Sequence, residues 1–187
     1  MGGQPESDEV LMLRYRDGDG NAFDLLYARH KGALFRYCLR HCRQRSVAEE
    51  TFQDVWMRVI NARGRYEARA KFTTWLYRIA HNRVIDGYRS DNSGRIQSLD
   101  SDESEVEPAA SPLDEPQRRT SSQQQAARLH ALLAALPAEQ RDVFLLHEEA
   151  GLPLDAIAEI SGVGRETAKS RLRYALSKLR AALKDEQ

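Results

Sequence analysis

The sequence predicts an all-α protein made of two small helical domains joined by a flexible acidic linker. Apolar residues recur at spacings of three and four over most of the chain, and no run of alternating β-branched residues occurs. Residues 91–127 interrupt this pattern, because they are rich in Asp, Glu, Ser, Pro and Gln and carry a net charge of −5. Such a segment buries too little apolar surface to offset its ordering entropy, so it is predicted to be the linker.

Residues 8–90 are predicted to form the first domain, with four helices. Ser7 is placed to cap a helix that ends near Gly18, and Asn21 is placed to cap a second, long helix. Ser46 and Glu49 stand three apart, which predicts a capping box at the start of the third helix. The basic loop ARGRYEARAK follows, and a fourth helix is predicted over about residues 72–89.

Residues 128–187 are predicted to form the second domain. A helix ends just before Pro137, which suits the first turn of the next helix, and Gly151 stops that one. A short helix over DAIAEIS is followed by a turn at Gly162, where a positive φ is favoured. A long basic helix is then predicted over about residues 165–184. The small Ala158 four residues before Gly162, with a basic second helix, indicates a helix-turn-helix whose second helix enters a DNA major groove.

The charge distribution bears directly on function. The chain has 28 basic and 28 acidic residues, and this balance alone disfavours nucleic-acid binding. Resolved along the sequence, however, residues 58–89 and 165–184 each carry a net charge of +6, whereas residues 128–164 carry −4. Because a phosphate backbone responds to the local field, the two basic patches predict contact with nucleic acid. No apolar run long enough to span a bilayer and no secretory signal are found, so a cytoplasmic protein is expected.

Two strings of residues then resemble a known family. AEETFQDVWMRVI followed by FTTWLYRIAHNRVIDGYR resembles region 2 of bacterial sigma-70 factors, and DAIAEISGVGRETAKSRLRYALSKLR resembles their region 4. The short chain with only these two regions is similar to the extracytoplasmic-function sigma factors. The resemblance implies a promoter-specificity subunit of RNA polymerase that catalyses no reaction itself, needs no cofactor, and serves a stress or envelope-response regulon. It also implies RNA polymerase core (the β′ clamp helices and the β flap), promoter DNA and an anti-sigma factor as partners, without membrane insertion.

The same resemblance implies which residues bind. The third helix would contact the polymerase core through Glu50, Gln53, Asp54, Trp56, Met57 and Arg58, although Trp56 fits the domain core equally well. The fourth helix and the loop before it would bind the melted −10 element through Lys71, Trp75, Tyr77, Arg78, Asn82, Arg83 and Arg89, with Trp75 also a candidate for the core. The last helix would read the −35 element through Arg165, Thr167, Lys169, Ser170, Arg171, Arg173 and Tyr174.

Two other classes of function stay open from the residues alone. A free-standing helix-turn-helix regulator needs only residues 128–187 and leaves WLYRIAHN unexplained. A metal-dependent enzyme or sensor could use Cys38, His41 and Cys42, which lie at i, i+3 and i+4 on one helix and would need a fourth ligand for Zn²⁺. Ordinary core packing is the favoured interpretation of these three residues, since Cys is among the most buried residue types. No metal is therefore expected.

Overall fold

The computed structural model describes the backbone of residues 6–42, 44–94 and 116–184, and the side chains of residues 6–42, 44–88 and 124–184. The described residues form eight α-helices and one short 3₁₀ helix, and they contain no strand. The helices are α1 (Asp8–Arg16), α2 (Gly20–His41), α3 (Arg45–Ala62), α4 (Phe72–Gly94), α5 (Pro116–Ala134), α6 (Ala138–Glu148), α7 (Leu154–Ser161) and α8 (Arg165–Lys184), and the 3₁₀ helix spans Arg63–Arg65.

Helices α1 to α4 pack into one bundle. Helix α2 contacts α1, α3 and α4, and α3 in turn packs against α4. Each helix buries one apolar stripe, with Leu26 and Leu34 on α2, Val55 on α3 and Leu76 on α4 all fully buried. Burial of these stripes is what stabilises the bundle, because short helices gain most of their stability from tertiary packing.

The caps of the first three helices follow the prediction only in part. Ser7 caps α1 as predicted, and its side chain accepts a hydrogen bond from the backbone N–H of Val10. The prediction for α2 was wrong, because Asp19 is the cap and accepts from the N–H of Asn21. The capping box at α3 was also wrong. The helix already begins at Arg45, which places Ser46 inside the first turn.

The boundaries of the predicted linker also differ. Helix α4 continues to Gly94, beyond the predicted end at about residue 89. Helix α5 begins at Pro116, so residues 116–127 are helical although they were predicted to belong to the flexible linker. Proline suits the first turn of a helix, and the QQQAARLHALLA stretch that follows consists almost entirely of good helix formers. Residues 95–115, the remainder of the linker prediction, lie outside the described residues.

Helices α6, α7 and α8 form the second bundle, and the helix-turn-helix is confirmed. Gly162 ends α7 in the left-handed region, with φ 65° and ψ 32°, which glycine adopts without the clash of a Cβ atom. Ala158 and Ala168 are buried, which lets α7 and α8 approach closely. The fully buried Val143 and Leu146 of α6 contribute to the core of this bundle, and α6 packs along α8.

The two bundles contact each other. Helices α2 and α4 of the first bundle pack against α5, α6 and α7. The elements of the helix-turn-helix therefore lie beside the helix that carries WLYRIAHN. Within the described parts of the chain, no helix combines the length and apolar character needed to cross a membrane.

Candidate nucleic-acid interface

The N-terminal half of α8 presents an exposed basic surface. Arg165, Lys169 and Arg173 follow each other at four-residue intervals, so they lie along one face of the helix, and all three are exposed. Tyr174 is also exposed, with 52% of its surface accessible, and the Arg173 guanidinium lies 5.2 Å from the centre of its ring. Thr167 is exposed and Ser170 is half-buried. An exposed basic face on the second helix of a helix-turn-helix is typical of helices that enter a DNA major groove.

Several cations of α8 are paired with carboxylates of the same bundle. Arg165 Nε lies 2.8 Å from Asp155 Oδ1, and Lys169 Nζ lies 3.7 Å from Glu166 Oε2, with all four side chains more than half exposed. Exposed pairs of this kind contribute little free energy, so a phosphate can replace the carboxylate at small cost. Arg171 differs, because its side chain is only 22% exposed and it pairs with Glu139 of α6 at 2.6 Å.

A second surface lies on α4 and the residue before it. Lys71, Trp75, Arg78 and Asn82 recur at spacings of four, three and four, which places them on one helical face. Lys71 and Asn82 are exposed. The Trp75 ring is half-buried and packs edge-on against Tyr66, with ring centres 5.0 Å apart. Trp75 therefore belongs partly to the core, as the alternative interpretation held, while the rest of its surface is accessible.

Three other residues predicted to bind the −10 element are placed differently. Tyr77 is only 1% exposed and packs edge-on against Tyr37, so its ring is a packing group in this arrangement and not a surface for bases. Arg83 is half-buried and bonds through Nε to Asp54 Oδ2 at 2.7 Å. The side chain of Arg89 lies outside the described residues.

The surface of α3 carries the residues predicted to bind polymerase. Glu50, Gln53 and Met57 recur along one exposed face, and Met57 is 53% exposed. Asp54 lies beside them but is half-buried and paired with Arg83, and Arg58 is exposed.

Trp56 does not belong to that surface. Its side chain is 5% exposed and packs against Tyr27 at 5.0 Å and Phe23 at 5.7 Å between ring centres. The core interpretation of Trp56 is therefore the correct one, and Met57 is left as the exposed apolar group of α3.

The three residues considered for metal binding have other contacts. Cys38 is fully buried, and burial together with the nearby Cys42 raises the pKa of its thiol well above the usual value. The Cys42 sulfur lies 3.9 Å from the Thr51 hydroxyl, and His41 faces Tyr88 and Asp142. Among the described residues, no group of three His, Cys, Asp or Glu side chains is arranged to hold a metal ion.

A buried acidic group that was not among the predicted functional residues lies between the bundles. Asp142 of α6 is 4% exposed, accepts a hydrogen bond from the Tyr37 hydroxyl at 2.7 Å, and has His81 Nδ1 at 3.0 Å from its other oxygen. Burial alone would raise the pKa of Asp142, but its contacts with His41 and His81 hold that pKa well below the usual value. The signal available in the sequence was the net charge of −4 over residues 128–164.

A two-bundle helical fold with an exposed basic helix-turn-helix and a second basic, aromatic face is typical of DNA-binding proteins. The family profile described as Sigma-70 region 2 matches residues 26–94, and the profile described as Sigma-70, region 4 matches residues 126–179. The RNA polymerase sigma factor CarQ of Myxococcus xanthus is 30% identical, covering 92% of this chain and 95% of CarQ. The chain therefore belongs to the sigma-70 family, among its extracytoplasmic-function members, and is a promoter-recognition sigma factor.

A second relative agrees with this assignment, and two solved structures share the fold. The extracytoplasmic-function sigma factor SigM of Mycobacterium tuberculosis is 29% identical over 96% of this chain and 86% of SigM. The fold is similar to that of CnrH in its complex with the cytosolic domain of CnrY (TM-score 0.72, 22% identity, 97% of this chain and 100% of CnrH). It is also similar to RpoE of Bartonella quintana in its complex with the anti-sigma factor NepR (TM-score 0.68, 21% identity, 88% of this chain and 98% of RpoE).

Proposed function

We propose that the chain directs RNA polymerase core to promoters by dividing recognition between its two parts. Residues 8–90 would bind core polymerase and the melted −10 element, and residues 128–187 would bind the −35 duplex. The observation that carries this division is the exposed row of Arg165, Lys169 and Arg173 on α8, on a different bundle from the Lys71–Asn82 face of α4. The chain would act in the cytoplasm and catalyse no reaction itself.

The α8 surface suits duplex DNA. Cations four residues apart on an exposed helix reach both phosphates and base edges when the helix lies in a major groove. Lys169 and Arg173 are the base-edge candidates because they project from the N-terminal half, with Ser170 and Tyr174 beside them. Candidates for phosphate contacts are Arg165, Thr167 and Arg171. Arg171 could bind a phosphate only after its ion pair with Glu139 had broken.

The α4 surface suits single-stranded DNA. Single strands are bound by stacking of bases on aromatic rings next to cations that follow the phosphates. Trp75 offers the accessible part of its ring, and Lys71 and Arg78 supply charge on the same face. Asn82 is exposed one turn further on and can hydrogen-bond the edge of an extruded base. Arg83 would contribute to DNA binding only after its hydrogen bond with Asp54 had broken.

The α3 surface suits a basic partner helix. Met57 is an exposed, flexible apolar group, and Glu50 and Asp54 lie close to it on the same face. An apolar anchor surrounded by acidic groups fits a partner that offers an apolar pocket with cations around it. The clamp helices of the polymerase β′ subunit are the proposed partner, with Gln53 and Arg58 at the edge, and the β flap would hold the second bundle.

We also propose that an anti-sigma factor controls the chain. RpoE of Bartonella quintana, whose fold is similar, was solved with such a factor. A stress or envelope-response regulon would follow from release of the chain by that partner.

In vitro transcription with purified core polymerase tests the proposal. A genome-derived template set should yield promoter-specific transcripts only when the chain is added, and absence of any such transcript would contradict the proposed role. Lys169→Ala and Arg173→Ala should each lower transcription from the responding promoters by about 5- to 150-fold, as expected for loss of about 1–3 kcal/mol at a base contact. Lys178→Ala, a matched exposed lysine on another face of α8, should leave the transcripts unchanged.

A further inference from the structure

The first turn of helix α4 is capped by a side chain from another helix. The backbone N–H of Phe72, the first residue of α4, donates a hydrogen bond of 2.8 Å to Glu9 Oε1 of α1. The first N–H groups of a helix have no partner within the helix, and they commonly find one on the side chain just before it. Here that residue is Lys71, whose side chain has no acceptor atom. The distant Glu9 therefore supplies a cap that the local sequence lacks.

Glu9 is suited to this role because its carboxyl group is ionised. Partial burial would raise the pKa of Glu9, but hydrogen bonds from the Phe72 N–H, from its own N–H and from the Ser7 hydroxyl hold that pKa below the usual value. A carboxylate at the N-terminus of a helix is also favoured by the helix dipole. The Glu9 side chain is therefore a permanent hydrogen-bond acceptor near neutral pH.

The neighbouring residue Asp8 fixes α1 to α2. Asp8 Oδ1 accepts from Arg29 Nη1 at 2.7 Å, and Asp8 Oδ2 lies 2.7 Å from His30 Nε2. The His30 ring in turn packs against Phe72, with ring centres 5.3 Å apart. Two adjacent carboxylates of α1 thus bind two different helices, Asp8 on α2 and Glu9 on α4. The start of α4 is therefore held by both α1 and α2.

The capped turn carries residues of the proposed −10 surface. Lys71 directly precedes Phe72, and Trp75 lies one turn further along α4. The N–H of Trp75 donates to the Lys71 carbonyl at 3.2 Å, which closes this turn. The buried Phe72 ring packs against Trp75 with ring centres 5.9 Å apart, and Tyr66 packs against both rings. If the turn opens, Lys71 and Trp75 therefore move together.

We infer that Glu9 is a positioning residue for recognition of the −10 element: its carboxylate holds the first turn of α4 in the conformation that presents Lys71 and Trp75 to the melted strand. The inference rests on the proposed function, because it concerns the −10 surface proposed for α4. Glu9 acts through the backbone of Phe72 and needs no contact with DNA. Its negative charge by itself repels phosphates, so Glu9 can raise DNA affinity only through the cap.

Two substitutions at Glu9 separate the cap from the charge. Glu9→Ala removes the acceptor, whereas Glu9→Gln removes only the charge, because an amide oxygen can still accept from the Phe72 N–H. The measurement is the affinity of holoenzyme, reconstituted with core polymerase, for a probe that joins a duplex −35 element to a single-stranded −10 element from a responding promoter. Glu9→Ala should weaken this affinity by about 3- to 30-fold, the range for loss of a helix cap. Glu9→Gln should bind like the wild type or slightly more tightly, because it keeps the cap and loses a repulsive charge.

The matched control is Asp19→Ala, which removes the side-chain cap of α2 in the same bundle. Asp19 Oδ1 accepts from the Asn21 N–H at 3.0 Å, and Asp19 Oδ2 accepts from Arg14 at 2.6 Å. Loss of this cap should lower the thermal stability of the bundle about as much as Glu9→Ala does. It should leave the affinity for the −10 probe unchanged at a temperature well below the thermal transition. A duplex with the −35 element alone is the second control, and every variant should bind it like the wild type.

Hydrogen exchange of the Phe72 amide measures the cap directly. On the free full-length chain, NMR should show this amide protected in the wild type and in Glu9→Gln, and exchanging about 3- to 30-fold faster in Glu9→Ala. The helical circular dichroism signal should stay unchanged, because the substitution opens one turn and not the bundle. The wild-type measurement needs no variant, so the cap is tested even if Glu9→Ala folds poorly.

Four results would overturn the inference. The first is a Phe72 amide that is unprotected in the wild type, and the second is unchanged −10 affinity in Glu9→Ala. An equal loss of affinity in Glu9→Gln would show that the charge matters and not the cap. An equal loss in Asp19→Ala, or on the −35 duplex alone, would show that Glu9 acts only through the stability of the bundle. A wild-type holoenzyme that binds the −10 probe no better than the −35 duplex would instead count against the proposed function of α4.

Discussion

The hydroxyl group of Tyr37 donates a hydrogen bond of 2.7 Å to the carboxylate of Asp142, 105 residues away in the other helical bundle. Burial and the adjacent carboxylate raise the pKa of Tyr37 well above the usual value, while the pKa of Asp142 stays low. The phenol therefore remains the donor and the carboxylate the acceptor over the whole physiological pH range. A buried hydrogen bond to a charged group contributes about 1.5–3 kcal/mol, so this pair is central to the contact between the bundles.

Removal of that hydroxyl should weaken the contact between the bundles. Tyr37→Phe deletes the donor, so the Asp142 carboxylate loses one hydrogen-bond partner. The free energy of unfolding should fall by about 1–3 kcal/mol, and calorimetry should show a thermal transition several degrees lower. Tyr77→Phe is the matched control, since its hydroxyl is also buried but has no hydrogen-bond partner among the described residues. The control should be neutral or slightly stabilising, and it should still support transcription. Equal destabilisation by both variants would contradict the role assigned to Tyr37.

Acid should open the contact between the bundles. Burial lowers the pKa of His41, and this outweighs the opposite effect of Asp142, so contact between the bundles favours the neutral imidazole. Once exposed, it would regain an ordinary pKa of about 6.5. The contact between the bundles is therefore most stable above about pH 6.5, and its free energy falls by up to about 1.4 kcal/mol per pH unit below it. The pKa of Asp142 is lowered while the bundles are in contact, so protonation of Asp142 further weakens the contact as the pH falls below about 4.

Small-angle X-ray scattering measured from pH 8 to pH 5 checks this expectation, since the radius of gyration should rise as the pH falls. The groups that face His41 and Asp142 from the packed helices are Tyr37, Tyr88, His81 and Arg141. His41→Gln should flatten the pH profile, whereas His147→Asn, which removes an exposed histidine, should leave it as in the wild type. A radius of gyration independent of pH in the wild type would contradict the expected loss of contact on protonation of His41.

The sequence predicted the helix-turn-helix well because its physical requirements fall on few residues. A left-handed φ at Gly162 and a small residue at Ala158 leave a recognisable spacing in the chain. The start of α2 was less predictable, since Asp19 and Asn21 are equally good caps two residues apart. Arg14 decides between them in the folded chain, because its Nη2 lies 2.6 Å from Asp19 Oδ2.

The contact between the bundles could not be read from the sequence. An acidic segment in a chain with two basic patches can pair with a partner protein or with its own chain, and composition does not distinguish these. The burial of Trp56 was equally hard to predict, because its place in the apolar stripe of α3 is compatible with either an exposed or a buried ring. The aromatic neighbours Phe23 and Tyr27, which decide the matter, come from α2.

The two cysteines should differ strongly in reactivity. Burial raises the pKa of Cys38, so the nucleophilic thiolate is scarce as well as inaccessible, whereas Cys42 is half-buried. Iodoacetamide at pH 8 should therefore alkylate Cys42 at least about ten times faster than Cys38, and both should react alike in guanidinium. Mass spectrometry of the digested chain measures the two rates. Equal rates in the native chain would reopen a redox role for this helix.

Gly162 should be the most sensitive glycine of the helix-turn-helix. Its φ of 65° costs a residue with a Cβ atom about 1–2 kcal/mol, although a Cβ there would meet nothing within 4 Å. Gly162→Ala should therefore lower the stability of the second bundle by that amount for conformational reasons alone. Gly162→Asn should cost less, because asparagine tolerates the left-handed region. Gly164→Ser, at an equally open position without a positive φ where serine also caps a helix well, is the control and should change stability by less than about 0.5 kcal/mol.

The same series separates strain from a loss of DNA contact. If Gly162 acts only through the backbone, the affinity of each folded variant for a −35 duplex should match the wild type at a temperature well below the thermal transition. Near the transition, affinity should fall in the order of the stability losses, with Gly162→Ala lowest, because unfolded α7 cannot position α8. A Gly162→Ala variant as stable as the wild type would show that the turn accepts another conformation, and the confirmed helix-turn-helix would then rest on the packing of Ala158 and Ala168 alone.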